Sequence, residues 1–363
     1  MLLCCLPPLL SRPPLLLLVR DIPQTLLDNI FTPLFEATLD PQAHAPIAHF
    51  LQQVVGFDSV DDESVPTPRL DLRRAPPPAQ WTGAADPPFE YQAYYLATNL
   101  SVLNRLRESR GLNTFTYRPH AGEAGEVDHL GACFLLSHGI NHGINLRRAP
   151  VLQHLYYLTQ VGIAMSPISN NALFLEYLRN PFIAFFRRGL NVSLSTDDPL
   201  QLAMTKEPLM EEFAVAAQVW KLTSTDLCEL ARNSVVQSGF ESCVKAHWIG
   251  ERWWVPGVPG NDMGKTNVPH TRARYRYDTL AEELSTVYGG EVPTNVHCLP
   301  THASRLGEAD GGGGEGRGGL NGRAGSGDSG GGSSSRGSSS VAAGGGDGGS
   351  TTIVEEPVVV VGL

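Results

Sequence analysis

Cysteine is scarce in this chain, with six in 363 residues. None forms a C-x-x-C pair: Cys4 and Cys5 are adjacent, and Cys133, Cys228, Cys243 and Cys298 are scattered. Neither a disulfide framework nor a cysteine-rich zinc module is expected, and a reducing compartment such as the cytosol is the plain reading. Basic charge is also short. The 27 Lys and Arg against 37 Asp and Glu leave a net charge of −10, which argues against a general nucleic-acid binder. Long apolar runs are missing as well. Residues 1–20, MLLCCLPPLLSRPPLLLLVR, are rich in Leu but interrupted by prolines, with Arg at 12 and 20. A signal peptide carries its positive charge first, and a membrane helix needs about 20 continuous apolar residues, so no stable membrane insertion is expected. Leu15–Val19 is long enough for one buried strand, and the rest reads as an unstructured leader.

What the chain has in excess is glycine, 38 residues. Most of it lies in residues 303–363, in stretches such as GGGGEGRGG and GSGDSGGGSSSRGSSS. Ordering such a segment costs entropy with little apolar surface to bury, so a flexible, disordered C-terminal tail is expected. Residues 21–302 read as the globular part, and a hydrophobic content of 42% allows a sizeable core. Helical periodicity is predicted over Gln24–Leu39, Phe89–Ser109, Pro150–Thr159 and Glu207–Leu222. Strands are predicted at Val54–Val60, Thr114–Arg118, Ile140–Asn145, Gly162–Ser166 and Asn191–Thr196. Helices alternating with strands at this spacing predict an α/β fold with a parallel sheet.

Polar residues gather where those strands end. Pro119-His120-Ala121-Gly122-Glu123 follows one strand, Asn141-His142-Gly143 the next, Ser166-Pro167-Ile168-Ser169-Asn170-Asn171 the third, and Ser195-Thr196-Asp197-Asp198-Pro199 the fourth. In parallel α/β barrels the chemistry sits at the carboxyl ends of strands. Neutral His and ionised Asp are good zinc ligands, and zinc acidifies water. A nearby Glu can exchange a proton with a substrate ring nitrogen, and a second His can accept one from water. The set suits attack of a metal-activated water on an electron-poor carbon. Each member has a plainer reading too. His120 alone could be a hydrogen-bonded strand-end residue, and Glu123 a first-turn acid. Asp197 and Asp198 could be helix caps before Pro199. His129, His138 and His154 read as structural residues within helices.

The segments RPHAGEAGEVDHL, NHGINLRRAPVLQHLYYL, AMSPISNNALFLEY, SLSTDDPL, TKEPLMEEFAVAAQVWKL, CELARNSVVQSGF and GNDMGKTNVPHTRARYRYDTL together resemble the AMP deaminase family, from about Thr25 to Leu284. The wider relatives are the adenosine deaminases of the metal-dependent hydrolase superfamily, which share the H-x-G-E and S-x-x-T-D-D elements. The resemblance implies a (β/α)8 TIM barrel, one zinc ion, and hydrolysis of AMP to IMP and ammonia in purine nucleotide salvage. It carries over His120 and Asp197 as zinc ligands and Glu123 as the residue that contacts the purine and protonates its ring nitrogen. It makes His142 the proton acceptor, with Asp198, Pro199, Leu200 and Gln201 lining the substrate pocket. A cytidine-type zinc deaminase is excluded by the missing P-C-x-x-C element.

Two departures from the family pattern stand out. The family's first strand ends in H-x-H, which supplies two further zinc ligands, yet no two of the eleven histidines here are two residues apart. Ala203 stands where family members usually have His. The expectation is therefore a partial barrel over 21–302 that lacks its first strands and is inactive as an isolated chain. Alternatives are a non-catalytic barrel remnant that binds partners, and a nucleoside deaminase acting on adenosine. Self-association is left open.

Overall fold

Apolar spacing accounts for the first helices. α1 (Pro23–Leu39) buries Leu27 and Phe31, and α2 (Ala45–Gln52) leads into β1 (Val54–Asp58). α3 (Phe89–Ser109) buries Phe89, Ala93, Leu96, Leu100, Leu103 and Arg107, steps of three and four that make one stripe along the helix. The computed structural model describes residues 23–66, 71, 73–82, 86–290 and 359–362. The 1–20 leader and the tail up to residue 358 lie outside the described residues.

The chain then alternates. β2 (Thr116–Tyr117) and β3 (His120–Ala121) precede α4 (Asp128–Leu136), and β4 (Gly139–His142) is followed by α5 (Pro150–Thr159). Next come β5 (Gly162–Met165), α6 (Pro167–Leu173), α7 (Phe182–Arg188), β6 (Val192–Leu194) and α8 (Pro199–Leu202). Helices α9 (Pro208–Trp220), α10 (Ser224–Gln237), α11 (Ser242–Ile249), α12 (Met263–Thr266) and α13 (His270–Tyr288) complete the globular part. β7 (Val359–Gly362) is the last element. No helix among the described residues is long and apolar enough to cross a membrane.

All strand pairs are parallel, in the orders β2-β1-β7 and β3-β4-β5-β6. The two sheets are stitched by one extended stretch. Pro119 has no N–H to give and separates β2, which lies within the strand predicted at 114–118, from β3, which lies beyond it. Around it, Arg118 N–H donates to the Phe57 carbonyl, His120 N–H to that of Ser59, and Asn141 N–H to that of Pro119. The bonding thus passes from β1 to β4 without a break. The α/β expectation with parallel strands holds.

Three local expectations change. The strand expected over Ile140–Asn145 stops at His142, because His142 (φ 67°) and Gly143 (φ 59°) turn left-handed and start a short 3-10 turn at Ile144–Arg148. His138 sits in the turn before β4 rather than in a helix. Val359–Gly362, expected to belong to a flexible tail, pair with β1 along its outer edge.

Two apolar cores result. One gathers Leu27, Phe31, Leu51, Val54, Phe57, Leu100, Leu103 and Phe115 under α1–α3. The other packs Leu130, Ile140, Ile163, Met165, Phe182, Phe185, Val192 and Leu230 around β3–β6. α3 joins them, since Phe89 and Ala93 belong to the second core and Leu96–Leu103 to the first.

Candidate metal centre

Parallel strands in register bring their carboxyl ends together, so residues far apart in sequence meet there. Among the described residues, His120, His142 and Asp197 form one group whose nitrogen and oxygen donor atoms all lie within 4.8 Å of one another. His120 opens the two-residue β3, His142 ends β4, and Asp197 lies just past the end of β6. The two imidazoles sit with ring centroids 4.7 Å apart, and His142 Nε2 is 3.9 Å from Asp197 Oδ2.

The backbone at these positions is unusual. His142 (φ 67°) and Asp197 (φ 55°) are left-handed without being glycine, and neither caps a helix. The other such residues, Gln160, Lys221 and Asn267, are ordinary helix C-caps. Left-handed conformations of this kind cost energy and persist where surrounding contacts impose them. Gly122 in the His120–Glu123 turn is left-handed too (φ 73°), and a Cβ there would stand 2.7 Å from a Leu130 methyl. Only glycine lets this turn close onto α4.

Each donor is aimed by a second residue. His120 Nδ1 bonds Asp58 Oδ1 at 2.9 Å, which leaves Nε2 as the free donor atom. Burial alone would lower the imidazole's pKa, but the Asp58 carboxylate, with Asp197 and Glu123, outweighs it and raises it. Ser169 Oγ donates to Asp197 Oδ2 at 2.5 Å. His142 Nδ1 lies 3.2 Å from Glu123 Oε1 and 3.1 Å from the Asn170 amide nitrogen. With its hydrogen on Nδ1 the ring donates to an ionised Glu123 and leaves Nε2 as an acceptor, whereas the Asn170 NH2, a donor only, bonds Nδ1 solely in the other tautomer. That Nε2 is buried and has no hydrogen-bond partner, and an orphaned buried nitrogen facing a carboxylate suits a cation. Full burial, then the charge of His120, holds His142 well below the ordinary imidazole pKa and so keeps it neutral. Two imidazoles and a carboxylate fit zinc or a similar divalent ion.

The carboxyl of Glu123 is shifted by its surroundings. Burial first, and the Asp197 charge second, push its carboxyl up to about 7. Asn170 holds its Oε1 at 2.8 Å. The amide's orientation follows from a chain of bonds: Phe182 N–H donates to Asn180 Oδ1, and Asn180 Nδ2 donates to Asn170 Oδ1. The NH2 of Asn170 must then face Glu123 and His142. Beneath the turn, Glu63 accepts from Gly122 N–H (2.6 Å) and Glu123 N–H (3.1 Å) and pairs with His129 Nδ1 at 3.1 Å.

The sequence-predicted residues divide. His120, Glu123, His142 and Asp197 converge. The structure places His142 within the candidate donor group itself, where the sequence suggested a proton acceptor beside it. Asp198 precedes α8, and Pro199, Leu200 and Gln201 lie in that helix, outside the donor group, with Leu200 95% exposed. Sequence reasoning missed Asp58 and Glu63 and gave Ser169 and Asn170 no role. Asp58 ends a strand, as His142 does, and that signal was available. Glu63 lies in a loop and gives none.

Residues 18–292 match the model of the AMP deaminase family. The chain is 60% identical over 277 residues to an AMP deaminase of Arabidopsis thaliana, covering 76% of this chain and 33% of that protein. It is 60% identical over 264 residues to an AMP deaminase of Dictyostelium discoideum (73% and 33%). To AMP deaminase 1 of Mus musculus it is 51% identical over 265 residues (73% and 36%). The chain spans about a third of the length of the curated relatives it matches.

Proposed function

Since the chain belongs to the AMP deaminase family, we propose that it carries the metal-holding and proton-transferring part of a centre that hydrolyses AMP to IMP and ammonia. The observation that supports this most is the meeting of His120, His142 and Asp197 within 4.8 Å, beside Glu123. In this reading the parallel strands are the downstream part of a (β/α)8 barrel spanning 21–302, with 303–363 as its tail. The setting is cytosolic purine salvage.

His120 and Asp197 would hold the ion, with the lone pair of His142 Nε2 kept for a proton from water rather than given to the metal. A zinc ion there would supply Lewis acidity. Glu123, half protonated near neutral pH, contacts the purine and donates to a ring nitrogen. Once ionised, it accepts the Nδ1 hydrogen of His142, which makes Nε2 of that ring the better acceptor for a proton from water. Protonation of the ring nitrogen leaves the neighbouring amino-bearing carbon electron-poor, and loss of that amino group as ammonia balances the gain of water. Asp198, Pro199, Leu200 and Gln201 would border the nucleotide.

The test joins the chain to the upstream portion of an AMP deaminase and measures zinc content and ammonia release from AMP and from adenosine. Zinc and AMP turnover are expected. Glu123→Gln should keep the zinc and lower turnover by on the order of 10²–10⁴. An unchanged rate in Glu123→Gln would refute the assigned chemistry.

A further inference from the structure

α9 turns Glu212, Ala216 and Trp220 inward, a stripe at i, i+4 and i+8. A glutamate in such a stripe breaks the apolar pattern of a core-facing helix face. Its neighbour Glu211 behaves ordinarily, capping the loop at Met204 and Thr205 from an exposed position. Glu212 is 1% exposed, and one of its oxygens, Oε1, accepts from Ile168 N–H at 2.8 Å. Burial, the first cause, raises its carboxyl to about 7.

Ile168 stands in the first turn of α6, where backbone N–H groups have no partner within the helix. Ser166, the residue before that turn, makes no side-chain cap bond. The missing acceptor comes instead from Glu212, 44 residues on. The next two residues are Ser169, which bonds Asp197, and Asn170, which faces Glu123 and His142.

We propose that Glu212 is a positioning residue of the candidate centre: by accepting the Ile168 N–H it fixes the first turn of α6. Through Ser169 and Asn170 that turn sets the directions of Asp197, Glu123 and His142. The consequence for turnover rests on the proposed deaminase reading, but the tie itself does not.

Two variants of the 363-residue chain separate acceptor from bulk. Glu212→Gln keeps an acceptor oxygen, and Glu212→Met keeps the length without one. Two readouts need neither metal nor substrate: amide hydrogen exchange of Ile168, and the imidazole nitrogen resonances of His142. In the parent, Ile168 should be protected although it lies in a helix's first turn. Glu212→Met should speed its exchange about tenfold or more, the usual worth of a hydrogen bond to a carboxylate, and shift the His142 signals. Glu212→Gln should leave both close to the parent. Should either variant unfold, the parent's own Ile168 protection still decides, and an amide exchanging as freely as an unstructured one overturns the tie. Equal behaviour of Gln and Met overturns it too. Faster Ile168 exchange in Met with unmoved His142 signals would reduce Glu212 to a structural residue and overturn the positioning role. Failure of deamination with these results intact would count against the proposed reaction alone.

Discussion

The half of the molecule built on β3–β6 holds the candidate ion-binding atoms, and the half built on α1–α3 and β1 adds two carboxylates, Asp58 behind His120 and Glu63 beneath the Glu123 turn. His120, His142 and Asp197 sit on β3, at the end of β4 and just past β6, the strands of the larger core. Asp58 and Glu63 sit at and beyond the end of β1, over the smaller core, and reach 62 and 59 residues along the chain to His120 and Gly122. The support of His120 and of the Glu123 turn thus crosses between two apolar clusters that meet along α3 and along the stretch around Pro119, while Ser169 and Asn170 orient Asp197 and Glu123 from within the donor half. A shift between the halves would cost His120 its partner Asp58 and the Glu123 turn its partner Glu63, and leave the Ser169–Asp197 bond in place.

The largest effect should come from breaking the half that carries the donors. Phe182 is fully buried in the β3–β6 core. Phe182→Ala should destabilise the protein by about 3–5 kcal/mol through lost burial and the cavity left behind. Urea unfolding with an unchanged slope would measure it. A loss under about 1 kcal/mol would show that this core does not carry the stability assigned to it.

A smaller effect, aimed at the seam, should follow from Gly125→Ala. Gly125 has φ 60°, and a Cβ there would stand 1.7 Å from the Glu63 carbonyl oxygen. The loop must back away from the Glu123 turn, at about 1–3 kcal/mol for the overpacking. Faster amide exchange at Gly122 and Glu123 should accompany the loss of stability. Wild-type exchange at both would mean that the loop carrying Glu63 does not hold the turn.

Asp58→Asn sharpens the comparison by leaving both cores intact. It removes the charge behind His120 while keeping the side chain's size. Zinc affinity of the joined protein described above should fall about 10–100-fold, as for other carboxylates behind a ligating histidine. Its unfolding midpoint should scarcely move. Unchanged affinity would limit Asp58 to packing.

The smallest effect serves as a control within the donor half. Thr223 and Asp226 cap α10 reciprocally, away from the strand ends. Thr223→Ala should cost about 1 kcal/mol and leave zinc affinity unchanged. A change in affinity would mean that stability anywhere in this half feeds into the site, and the division drawn above would fail.

Much of this was legible from residues alone. Periodicity marked α3 and α5 at their observed bounds, because a stripe of apolar side chains every three or four residues has one way to be buried. The five predicted strands are all present, though shortened where Pro119 removes a donor and where His142 and Gly143 turn left-handed. The convergence of His120, Glu123, His142 and Asp197 could be expected because parallel strands joined by helices align their carboxyl ends.

Other features had no local signature. That Val359–Gly362 lie against β1 depends on backbone edges meeting across the whole chain: the valine run in IVEEPVVVVGL suits a strand, but nothing local names its partner. Glu63, a loop acid among Asp61, Asp62 and Ser64, reads as solvated and becomes a buried acceptor only when the Glu123 turn is laid upon it. Glu212 and Glu211 are indistinguishable as neighbours on paper, and the packing of α9 alone decides which is buried. The sequence by itself determined the elements and which side chains could do chemistry, since both follow from residue type and short-range spacing. The tertiary structure decided which carboxylates would hold those side chains in place, since a hydrogen bond across 44 to 62 residues exists only once the chain has closed on itself.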